Sequence, residues 1–186
     1  MAQSLKYGTY YSAQKNGPNL PIQKILIVGV IAAVLIGGGL LALNLLSGHS
    51  KQDLTLLAVH ENSLLTLANS SRNSIRNADL STANSNATIL LTSDVANLVA
   101  VTGIKKLPDD LVKKEADTHG DALKQATLLN KFDTTYKDIA VEKIEALLTE
   151  AQALRGSITG KKMLAALDQV IANLQAIDKQ FVQLKL

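Results

Sequence analysis

Few residues in this chain could do acid–base or metal chemistry. There are three histidines, His49, His60 and His119, and no cysteine. Thiolate nucleophiles, thiolate metal sites and disulfides are therefore excluded. His60 is followed directly by Glu61, and Glu115 stands four residues before His119, a spacing that puts both on one helical face. Two helices that brought His60, Glu61, Glu115 and His119 together would offer nitrogen and oxygen ligands to a divalent ion. The simpler reading has both histidines exposed or capping neighbouring turns, with His49 in a loop, and it predicts no metal and no cofactor.

Other catalytic templates are missing. No Gly-x-Ser-x-Gly elbow and no dinucleotide fingerprint occurs, and the Gly156-Ser-Ile-Thr-Gly160 segment precedes Lys161 and Lys162 without phosphate-loop spacing. That segment reads as a plain interhelical turn. The sequence predicts that the chain is not an enzyme.

The elements that would position these residues are helices. Ser50 followed by Asp53 reads as a helix start, and Leu54, Leu57, Ala58, Leu64, Leu65 and Ala68 then share one face. After a break around residues 77–79, a second stripe runs through Leu80, Ala83, Ala87, Leu91, Leu98 and Val101. A third helix is expected over about 108–130, weakened in its middle by Gly120. The fourth keeps spacings of three and four from Tyr136 through Ala140, Ile144, Leu147, Ala151 and Leu154. The last carries Leu164, Leu167, Ile171, Leu174, Ile177, Phe181 and Leu184. With only 3% aromatic residues, Leu, Ile, Val and Ala must fill the core.

One stretch differs in composition. Seven asparagines, at 62, 69, 73, 77, 84, 86 and 97, fall among many Ser and Thr with few charges, whereas solvated helices normally use Lys and Glu. This surface suits a partner or a glycan, or is compositional habit; Asn69 and Asn86 begin glycosylation sequons.

The N-terminal quarter has another character. Nineteen consecutive residues from Ile25 to Leu43 are apolar or Gly, and only Asn44 separates them from Leu45 and Leu46. About 22 helical residues span roughly 33 Å, enough for a bilayer core of about 30 Å. Lys6, Lys15 and Lys24 precede the run and supply the whole net charge of +3, because the remaining sixteen Lys and Arg equal the sixteen acids. That bias puts the N-terminus in the cytoplasm. It also leaves no basic stripe with interleaved aromatics, so no nucleic-acid partner is expected. Gly29, Ala33 and Gly37 recur every four residues along the span, a stripe on which two membrane helices could pair. Tyr7, Tyr10 and Tyr11 cluster in the preceding tail, and Ala2 excludes N-myristoylation.

The expected architecture is thus all-α, one N-terminal transmembrane helix followed by an antiparallel four-helix bundle. Its parts are a disordered cytoplasmic tail (1–24), the span (25–46), a linker (47–53) and an extracytoplasmic bundle (54–186).

Two resemblances bear on that bundle. Phe132-Asp133-Thr-Thr-Tyr136, followed by a long helix, a Gly-containing turn and a last amphipathic helix, resembles membrane-anchored bacterial proteins of the ferritin-like class over about 130 residues of helix pattern. That class holds iron through Glu-x-x-His motifs. Here Glu115 and His119 have the wrong spacing, and Glu142, Glu145 and Glu150 lack a His, so the resemblance implies the fold without the iron chemistry. The outer region is also similar to the four-helix sensor module of bacterial chemoreceptors, which begins directly after a first membrane helix. Those receptors return through the membrane, and no second span is seen before Leu186.

The functional expectation is a single-pass membrane protein acting by binding, as a scaffold or accessory subunit of a cell-envelope complex. Its expected partners are the lipid bilayer and another membrane or envelope protein, or itself. The alternative is a ligand- or metal-sensing bundle, a degenerate ferritin-like one, with its pocket between helices.

Overall fold

The computed structural model describes residues 50–115, 119–158 and 160–186. They form α1 (Ser50–Ser71), α2 (Ala78–Thr102), α3 (Asp109–Glu115), α4 (Gly120–Leu128), α5 (Phe132–Arg155) and α6 (Lys161–Gln183). Each long helix exists because its apolar residues return every three or four positions: Leu54, Leu57, Leu64 and Ala68 on α1, and Leu80, Ala87, Leu91 and Leu98 on α2, are all buried. Local chemistry sets the ends of α2. Asn77 is the N-cap, its Oδ1 accepting from the Leu80 N–H at 2.9 Å. At the other end Gly103, with φ of 76°, turns the chain into the left-handed region and donates its N–H to Val99 O at 3.1 Å.

The four long helices enclose one core in the cyclic order α1, α2, α6, α5. Neighbours run antiparallel. Asn86 near the start of α2 donates to Gln180 near the end of α6, and Asn173 lower on α6 donates to Asp94 further along α2. Similarly, Asp133 at the start of α5 accepts from the backbone just after α1, while His60 in mid-α1 meets Glu150 near the end of α5. The diagonal helices α2 and α5 are parallel, as the bond between Asn84 and Tyr136 near both starts shows. A chain leaving the end of α2 must therefore travel back along the bundle, roughly 36 Å for a helix of this length, before α5 can begin. The bent pair makes that return, α3 lying on α1 and α4 on α5. Where a single helix was expected over 108–130, the chain thus forms two, seated on different long helices.

The expected architecture is corrected on both counts. Among the described residues no helix is long and apolar enough to cross a membrane. The reason lies in their side chains: α1 carries Lys51, Asp53, His60 and Glu61, α2 combines Asp79 and Asp94 with many Ser, Thr and Asn, and α5 and α6 are charged along their length. Among the described residues the helices number five, with α3 and α4 taken together as one bent pair, rather than four. Single-pass anchoring, a bilayer or envelope partner, and a bundle held outside a cytoplasmic N-terminus find no support among the described residues. The expected span at 25–46, with Gly29, Ala33 and Gly37, and the tail at 1–24 lie outside the described residues. Residues 50–53, expected as linker, form the first turn of α1.

Candidate functional site

Two polar layers interrupt the apolar core, and they differ in how well they are satisfied. Near the start of α2, Asn84 Nδ2 donates to Ala68 O at 3.0 Å, and the Tyr136 hydroxyl donates to Asn84 Oδ1 in a short bond. Burial pushes the Tyr136 phenol far up, so it stays a donor. Its ring meets Phe181 edge-on at 6.3 Å and stacks with Phe132 at 6.1 Å. Every polar atom named here has a partner, and the layer fixes the register of α1, α2 and α5.

The second layer lies further along the bundle and is not satisfied. Glu61 on α1 and Asp94 on α2 are both 0% exposed. Each occupies a core register: Glu61 falls between Leu57 and Leu64, and Asp94 between Leu91 and Leu98. Neither oxygen of Glu61 has a hydrogen-bond partner, and the same holds for Asp94 Oδ2. Asp94 Oδ1 accepts from Asn173 Nδ2 at 2.7 Å, while Asn173 Oδ1 accepts from Gln169 at 2.9 Å on the surface of α6. Burial pushes Glu61 well above the usual glutamate range, and the charges of Asp94 and Glu150 push it further. Burial also raises Asp94 to about 6, against the opposing bond from Asn173.

Two basic side chains, each engaged by acids, stand beside this pair. His60, next to Glu61 in sequence, donates Nδ1–H to Glu150 Oε2 at 2.8 Å, and its Nε2 lies 3.8 Å from Glu115 Oε1. Ser63 holds the end of α3 in place by donating to Glu115 O at 3.2 Å. Burial lowers the affinity of His60 for its proton, but the bond to Glu150 and the charges of Glu150 and Glu115 outweigh it, and its pKa is raised. Burial lowers Lys143 on α5, partly offset by Glu115 and Glu142. A polar trail thus crosses the bundle, from Gln169 and Asn173 through Asp94 and Glu61 to His60, Glu150 and Glu115.

Of the four residues that sequence spacing singled out, the structure joins His60 and Glu115 directly and places Glu61 inside the core beside them. His119 stands at the N-cap of α4. Among the described residues no group of three or more His, Asp or Glu could hold a metal ion, and the ferritin-like resemblance is corrected on that ground. Sequence reasoning missed Asp94 and Asn173 as site residues, and it set Glu150 aside because no His accompanies it. The signal was present: each falls at a spacing of three or four from buried apolar residues on its own helix, where a core side chain belongs. Among the seven asparagines, Asn77 and Asn84 have structural tasks, as cap and as buried bridge.

Two surface clefts lie apart from this layer. The first, of about 470 Å³, is lined by Arg76, Asn130 and Asp133 among others. There Asp133 accepts from the N–H groups of Arg76 and Asn77, and Arg76 Nη1 donates to Asn130 Oδ1 at 2.7 Å, so its polar groups tie the start of α5 to the start of α2. The second runs between Lys137, Val141 and Val182. No family model, no curated protein and no solved structure matches the chain.

Proposed function

We propose that this chain is a non-catalytic sensing bundle whose response element is the layer of Glu61, Asp94 and Glu150, and that its ligand is small and supplies positive charge or hydrogen-bond donors. The observation that carries this reading is Glu61, wholly enclosed with both carboxyl oxygens unpartnered. A buried polar group kept for structure is normally satisfied, as Asn84 is; an unsatisfied one costs roughly 1–3 kcal/mol and holds that free energy in reserve for whatever satisfies it. Binding to the folded state alone stabilises the bundle by mass action and so changes its state. Catalysis finds no comparable support. The layer holds acids and one engaged histidine, and no nucleophile is paired with a base in it.

Thermal unfolding of the full chain with ethylammonium, putrescine or imidazolium, with sodium chloride as the ionic-strength control, tests the reading. The expected result is a rise in midpoint for the wild type that Glu61→Gln abolishes. An equal rise in both proteins, or no response to any of these cations or to the proton itself, would contradict it.

A further inference from the structure

Three features outside the apolar packing could carry function: the Arg76–Asp133 cleft, the uncharged outer face of α2, and the Glu61–Asp94 layer. The cleft's polar groups are occupied by one another. Nothing in the structure shows what would cover the α2 face. The buried layer goes further, because its deficit can be stated atom by atom.

Three carboxylate oxygens, Glu61 Oε1, Glu61 Oε2 and Asp94 Oδ2, are enclosed where α1 faces α2, and none has a donor. The groups that face Glu61 come from every neighbouring helix. Asp94 comes from α2 and Glu150 from α5, both acidic, and α6 contributes the uncharged Asn173, which is already bound to Asp94. On its own helix His60 is engaged by Glu150 and Glu115, the latter from α3, and Lys143 of α5 lies towards Glu115 and Glu142. Fully ionised, this set holds five acids against two cations. What it lacks is donors, and the smallest species that supplies one is a proton. A proton needs no cavity, and Asp94 lies within one hydrogen bond of the half-buried Asn173, which is itself bonded to the exposed Gln169.

We propose that Glu61 and Asp94 form a proton-binding site that locks α1 onto α2 when occupied and loosens the bundle when it empties. In the occupied state one carboxyl O–H donates to an oxygen of the other acid, so orphaned acceptors become a bonded pair across the α1–α2 seam. In the emptied state two like charges face each other in the core, and repulsion and desolvation favour separation of the helices. The proposal rests on the sensing reading above and names the proton as its ligand.

The sign follows from linkage. A carboxyl that holds its proton more firmly in the folded than in the unfolded chain adds no penalty in acid, where both states are protonated. The penalty grows as pH rises above the ordinary value and is complete above the folded one. For Asp94 that window runs from 3.8 to about 6, and for Glu61 it begins at 4.5 and extends well above. His60, whose pKa is raised from 6.5, acts in the same direction, its stabilisation being lost as pH rises through its folded value. Every unit of pH inside such a window shifts the folding equilibrium up to about tenfold per group.

The experiment is thermal unfolding of the full chain from about pH 4.5 to about pH 8.5, for the wild type, Glu61→Gln and Asp94→Asn, each with and without ethylammonium. The wild-type midpoint should fall steadily with rising pH, and either variant should flatten the fall, leaving the part due to His60. An unchanged slope in both variants would overturn the proton site. Should one variant fail to fold, the other reads the same slope. The ethylammonium arm separates this inference from its premise. A cation effect that disappears in Glu61→Gln while the pH slope is unaffected would leave the sensing reading standing with an organic ligand. Absence of both effects would remove both.

Discussion

A carboxyl group with no exposed surface and no hydrogen-bond donor can exist in the core as a neutral acid or as a costly anion. Glu61 is in that position, and the like charges of Asp94 and Glu150 raise the cost of the anion. Removing the charge while keeping the shape should therefore help. Glu61→Gln is expected to stabilise the bundle by about 1–3 kcal/mol at pH near 8, and to change it little at pH near 4.5, as read by urea unfolding at the two pH values. The satisfied layer predicts the opposite sign. Tyr136→Phe deletes the donor to buried Asn84 Oδ1 and leaves the ring in place, so it should cost about 1–3 kcal/mol with no pH dependence between those values. The contrast separates a polar group kept for structure from one kept unsatisfied. Residue chemistry of this kind was partly legible in the sequence. His60, Glu61 and Glu115 stood out by type, whereas Asp94 and Asn173 did not, because a burial position has to be recognised before a polar residue in it becomes informative.

At the level of elements, bonds between residues far apart in sequence decide where helices start. The Asp133 carboxylate at the head of α5 accepts the Asn77 N–H at 2.8 Å and the Arg76 N–H at 3.1 Å, immediately before α2. Asp133→Ala is expected to speed hydrogen exchange at those two amides and to cost about 1–2 kcal/mol, with α6 unaffected. Gly103 offers a purely conformational test. A Cβ there would meet nothing within 4 Å, yet φ is 76°, so Gly103→Ala should cost about 1 kcal/mol in thermal unfolding through backbone strain alone. The start of α2 near Asn77 and the buried stripe of α5 were readable from spacing, since capping and 3.6-residue periodicity are local. The split of the third helix was readable only in part: Gly120 marks where α4 begins, but the seating of α3 on α1 and of α4 on α5 is a relation between helices that no single stretch encodes.

At the scale of the whole molecule, apolar burial holds four long helices around one core, and a line of polar groups passes through that core from α6 to α1 and α5. Such a line weakens the bundle where it crosses. By the present account this weakness makes the bundle responsive, because the state of two carboxyls decides how firmly α1 sits on α2. The membrane architecture expected from residues 25–46 has no counterpart among the described helices. On the proposal above, Glu61 and Asp94 hold a proton in the core at a pH where exposed acids have lost theirs. The most direct measurement is a pH titration of the side-chain carboxyl carbons of Glu61 and Asp94 by carbon-13 NMR in the full chain. Asp94 is expected to titrate near 6, Glu61 to stay protonated well above the ordinary glutamate range, and each curve to move when the partner is changed to its amide. Titration of both carbons at ordinary carboxylate values, each indifferent to the other, would contradict it.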